Sequence, residues 1–179
     1  MGIKHSSNTV NEFDIDGNGI ELVYQHENSI LDFAHSMYQD NKLIISGGSY
    51  FKLNTARQSV MEITLKIEDG AGGRLLSEKR ELPSMKIRRR NHCSVIIRDH
   101  LFLFFGYQEN NYKTSDTLEY LNLKDPDASF RIMKINCYDG DVIEPMIFPD
   151  ITSCIYENAK QNKLESKIFF FGGNQPKKR

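Results

Sequence analysis

Short apolar runs separated by polar turns dominate this chain. LIIS (43–46), LFLFF (101–105) and KIFFF (167–171) carry apolar side chains on consecutive or nearly consecutive positions, and glycine follows each run. Runs of that length, bounded by turn residues, predict strands buried on both faces. No stretch longer than about ten residues holds an i, i+3, i+4 apolar stripe, so the pattern predicts little helix.

The runs belong to a repeat. FAHSMYQDNKLIISGG (33–48), NHCSVIIRDHLFLFFG (91–106) and DITSCIYENAKQNKLESKIFFFGG (150–173) share one layout. Ser36 to Gly48 and Ser94 to Gly106 are each twelve residues, which reads as a common register. In the third copy the distance from Ser153 to Gly173 is twenty, and the excess around Asn158–Glu165 reads as a longer hairpin loop. A second strip, TVNEFDID (9–16), SVMEITLK (59–66) and DTLEYLNL (116–123), aligns on glutamates 12, 62 and 119. Each unit therefore predicts four strands, and the chain divides into a half-unit (8–25), two whole units (32–80 and 91–135) and a second half-unit (150–174).

The Gly47-Gly48 and Gly172-Gly173 pairs, together with the strand DTLEYLNL, resemble the kelch repeat of the β-propeller family that includes the galactose-oxidase central domain. The middle copy departs from it with Phe105 in place of the first glycine, and the chain lacks the tryptophan such blades usually carry. What the resemblance implies is an all-β chain, a partial kelch-type propeller of about three four-stranded antiparallel blades. A ring needs roughly four to eight. Three readings stay open: a piece of a longer propeller, an open array, or two copies meeting to form one ring.

Composition narrows the function. The 23 basic and 24 acidic side chains leave a formal charge of −1, which supplies no broad field for nucleic acid or an anionic membrane. Cys93, Cys137 and Cys154 form no C-x-x-C pair and read as reduced thiols, and the first residues hold no apolar signal region. A cytoplasmic protein is expected. EFDIDGNG places oxygen side chains at Asp14, Asp16 and Asn18, but Gln25 stands where a calcium loop needs a bidentate glutamate. A hairpin turn is the preferred reading, and a weak calcium-binding domain is the alternative.

Catalytic groups do not converge in the sequence. The five histidines show no metal spacing, and Cys93 next to His92 would point to the opposite side of a strand. Sugar-acting and copper alcohol-oxidising enzymes occur among the proteins it resembles, yet the Tyr, His and Cys of the copper type find no assignment here. KIRRRN (86–91) is the most suggestive segment. By the resemblance, the connection between units and the loop after each second strand line one rim. Arg88, Arg89, Arg90, Asn91, Tyr50, Lys52, Arg57, Tyr107, Asn110 and Tyr112 would then bind another protein through an acidic or phosphorylated peptide. The expectation is a non-catalytic protein–protein interaction module with no cofactor and no metal. The alternative is an enzyme of the sugar-acting kind.

Overall fold

The computed structural model describes residues 9–13, 20–25, 30–39, 41–50, 55–68, 74–108, 113–134, 150–158 and 163–171. Among these the chain is all-β, with antiparallel pairing throughout and no helix. The strands are β1 (Thr9–Phe13), β2 (Ile20–Gln25), β3 (Ile30–Tyr38), β4 (Lys42–Tyr50), β5 (Val60–Glu68), β6 (Arg74–Leu82), β7 (Arg89–Arg90), β8 (Cys93–Ile97), β9 (His100–Phe104), β10 (Tyr107–Gln108), β11 (Lys113–Thr114), β12 (Thr117–Asn122), β13 (Arg131–Lys134), β14 (Asp150–Asn158) and β15 (Lys163–Phe171). Two sheets are complete meanders, β3-β4-β5-β6 and β8-β9-β12-β13. At either side of them lie two-stranded sheets, β1-β2 and β14-β15, and a small ribbon of β7, β10 and β11 bridges the upper loops.

The sheets meet in one consistent order. First strands touch first strands, β3 against β8 and β8 against β14, while β2 meets β6, so outer strands touch outer strands. The main core lies between the two meanders, where Ile44, Val60 and Tyr38 of one sheet pack on Leu101, Leu103, Leu121 and Phe130 of the other. A second cluster, Cys93, Val95, Ile97, Phe104 and Phe105, covers the far side of the second meander and reaches Ile168 of β15.

Strand pairing corrects the register read from the repeat. Ile44 pairs with Glu62, whereas its counterpart Phe102 pairs with Tyr120, and Glu119 lies opposite Leu103. Glu62 and Glu119 are thus one step apart, and one step in a strand exchanges the two faces. Glu62 faces forward, toward the second meander. Glu119 faces back, toward the first.

The serines differ in the same way, because the hairpins before the glycines turn differently. Tyr38 pairs with Lys42, but Ile97 pairs with His100 across Arg98 and Asp99, both at positive φ as a two-residue type I′ turn requires. Ser36 faces forward and Ser94 back, and their hydroxyl oxygens meet at 2.6 Å. The excess residues of the third copy also differ from expectation. They extend both arms of the β14–β15 hairpin, which stays paired out to Asn158 and Lys163.

Candidate functional site

Residues 83–92 connect the two meanders and thread between their glycine turns. A Cβ at Gly47 would lie 2.4 Å from the Arg89 carbonyl oxygen, and one at Gly106 would lie 2.6 Å from that of Arg90. Both glycines also hold positive φ, so no side chain fits either position. Arg89 N–H donates to the Arg57 carbonyl at 3.0 Å, and β7 pairs with β10 through Arg90 and Tyr107. The expected neighbours Arg57, Arg89, Arg90, Asn91 and Tyr107 are therefore brought together.

Three of these residues, Arg89, Arg90 and Asn91, are however buried. Arg89 is fully buried: Nε donates to Glu119 Oε1 at 3.1 Å, Nη1 to the carbonyls of Phe105 and Thr117 at 2.9 and 3.0 Å, and Nη2 to Thr117 Oγ1 at 3.1 Å. Glu119 also accepts the backbone N–H of Lys86 at 2.6 Å and of Ile87 at 3.1 Å. Burial pushes the Arg89 pKa down, and the Glu119 carboxylate opposes that shift. Arg90 and Asn91 are buried too; the Arg90 guanidinium sits 5.9 Å from the centre of the half-exposed Tyr107 ring. Arg88 is exposed and Arg57 half-buried. Side-chain placement of Tyr50, and any structure at Lys52, Asn110 and Tyr112, lie outside the described residues, as does the turn bearing Asp14, Asp16 and Asn18.

His92 completes this joint. Its Nε2 lies 2.9 Å from Ser46 Oγ, which donates in turn to the Ala34 carbonyl at 3.5 Å. Burial, with Arg89 nearby, pushes its pKa down to about 3, so the ring is neutral at pH 7. Among the described residues Nδ1 has no hydrogen-bond partner, which assigns the proton to Nε2, because an unmet donor costs more than an unmet acceptor. Ser46 Oγ then accepts the imidazole N–H and donates its own O–H to the Ala34 carbonyl.

A different group of side chains surrounds open space. Around the outward end of β12, away from Gly106, a surface cavity of about 240 Å³ is lined by His100, Tyr120, Asn122, Asp125, Asp127 and Arg131, among others. Antiparallel register sets them there: Tyr120 lies between Phe102 and Arg131, and Asn122 beside His100. The Tyr120 ring is 5.9 Å from that of Phe102 and 6.3 Å from His100. His100 Nδ1 donates to the Arg98 carbonyl at 2.9 Å, leaving the Nε2 lone pair as an acceptor. Asp125 folds its own turn by accepting the Asp127 N–H at 3.0 Å. DPDAS (125–129) is a turn sequence, and pairing across β9, β12 and β13 is what joins it to His100 and Tyr120.

No family model matches the chain, and no curated protein matches its sequence. Among solved structures it is similar to a fungal alcohol oxidase of the AA5 family, in complex with copper, at 14% identity and a TM-score of 0.59. The match covers 92% of this chain and 36% of the oxidase, so the chain spans about a third of that protein's length. What it shares is the fold. The finding nevertheless runs against a non-catalytic interaction module: the neighbour is an enzyme, and the enzyme alternative is the better supported of the two. The described residues do not fit a copper centre. None of them forms a group of three or more His, Cys, Asp or Glu able to hold a metal, and the buried His92 is committed to Ser46.

Proposed function

We propose that this chain is a kelch-type propeller segment of an enzyme that acts on sugars or related alcohols. The observation carrying the reading is the likeness to the alcohol oxidase along 92% of the chain. Contact of first strand with first strand and outer with outer supports the radial arrangement of blades.

The cavity at the second meander supplies suitable recognition chemistry. A sugar presents C–H faces and a dense ring of hydroxyls. The Tyr120 ring gives an apolar plane, the Asp125 and Asp127 carboxylates accept hydroxyl protons, Arg131 donates, and His100 offers an acceptor nitrogen. The cavity volume suits one sugar ring better than a long peptide.

The test is a glycan array, followed by titration of the best ligand against the whole protein and against Tyr120→Ala and Asp127→Asn. Binding of one sugar class, weakened roughly tenfold or more in both variants, is the expected result. No glycan bound, together with no turnover of primary alcohols or sugars, would overturn the reading.

A further inference from the structure

Among the described residues, the charges lining the cavity beside Tyr120 do not balance. Asp125 and Asp127 put two carboxylates on its wall, both on exposed residues, and Arg131 is the one described cation that lines it with them. Lys124 precedes Asp125 in the chain and could have neutralised that wall. Its Nζ instead lies 2.7 Å from Asp99 Oδ2, while Tyr38 Oη donates to Asp99 Oδ1 at 3.0 Å, so the lysine is committed to the joint between the meanders. None of Asp125, Asp127 and Arg131 has an ion-pair partner among the described residues.

The uncharged lining adds an acceptor. His100 Nδ1 donates to the Arg98 carbonyl at 2.9 Å, so Nε2 presents a lone pair. Asn122 Oδ1 accepts the Lys124 N–H at 3.0 Å, and Asp125 Oδ1 accepts the Asp127 N–H at 3.0 Å. These two bonds fold the turn and leave Asp125 Oδ2 and both Asp127 oxygens for a ligand. The Tyr120 ring, stacked at 5.9 Å on that of Phe102, offers a π face that attracts a cation as well as C–H groups.

Resting on the sugar reading of this cavity, we infer that its ligand is an amino sugar, a hexosamine whose protonated amine pairs with the Asp127 carboxylate beside the Tyr120 ring. An ammonium brings three donors and one positive charge, and the two carboxylates with the His100 nitrogen supply acceptors for the donors and a counter-charge. A neutral hexose would leave the excess negative charge of the wall uncompensated. A uronic acid would set a third carboxylate against the two, with Arg131 alone to offset them.

Calorimetric titration of the whole protein with glucosamine, N-acetylglucosamine, glucose and glucuronic acid tests this. Glucosamine should bind roughly tenfold tighter than the other three at low ionic strength, because charge-assisted hydrogen bonds are the stronger kind, and high salt should shrink the advantage. Asp127→Asn should bring glucosamine down to the affinity of N-acetylglucosamine with far-UV circular dichroism unchanged, and Arg131→Gln should widen the preference. Equal binding of glucosamine and glucose, tighter binding of glucuronic acid, or a preference that survives Asp127→Asn would each overturn the inference and leave the sugar reading standing. Binding of none of the four overturns it as well, and a blank glycan array beside that result removes the sugar reading with it.

Discussion

Glu119 shows how one carboxylate can hold a connection in place. It receives two backbone amides from residues 86 and 87 and the Nε–H of Arg89, so the segment between meanders is tied into the second sheet by a satisfied buried pair. Glu119→Leu strands the Arg89 charge and both amides, and should cost about 3–5 kcal/mol in denaturant unfolding. Arg89→Met combined with Glu119→Leu should recover part of that loss. His92 predicts a pH dependence. Its folded pKa of about 3 lies below the ordinary 6.5, so between those values the unfolded chain binds the proton more readily. Stability from this group is complete above pH 6.5 and falls with acidification toward pH 3, by up to about 1.4 kcal/mol per pH unit. His92→Gln should flatten that slope in urea titrations between pH 6.5 and 5. Arg88 to Arg90 looked like three equivalent cations in sequence. Only the fold separates exposed Arg88 from buried Arg89, since alternation in a two-residue strand says nothing about what lies above and below it.

At the level of elements, the strands were legible because each carries its own pattern. Consecutive apolar runs marked β4, β9 and β15, and turn residues marked their ends. Register was not legible. A shared Ser-to-Gly distance of twelve concealed two different hairpins, since lengthening a turn by one residue and shortening a strand by one leave the count unchanged. The tight hairpin has its own cost: Arg98 and Asp99 hold φ of 47° and 64°. Asp99 offsets its strain by accepting from Tyr38 Oη at 3.0 Å and pairing with Lys124 Nζ at 2.7 Å. The hydrogen bond from Lys124 lowers the Asp99 pKa, while burial and then Asp99 raise that of Tyr38. Arg98→Gly keeps the carbonyl that orients His100 and removes the left-handed penalty, so thermal unfolding should show about 0.5–1 kcal/mol of added stability. Gly106→Ala should do the reverse, by about 2 kcal/mol or more, because its Cβ meets both the Arg90 carbonyl oxygen and His92 Cβ at 2.6 Å.

In the molecule as a whole, the two meanders face each other across one shared core. Their first strands run side by side, with Ser36 turned forward and Ser94 turned back. The candidate sugar cavity follows from that arrangement, because it decides which side of β9 and β12 lines the cavity. The cavity residues escaped the sequence reading for the same reason: His100 and Arg131 are 31 positions apart and become neighbours only through Tyr120 between them. The most direct measurement is oxidation of Ser36→Cys/Ser94→Cys in a Cys93→Ala background, followed by peptide mapping. A disulfide joining residues 36 and 94 within one chain, formed readily under mild oxidant, is the predicted result. Free thiols at both positions in the folded protein would contradict the arrangement on which the rest depends.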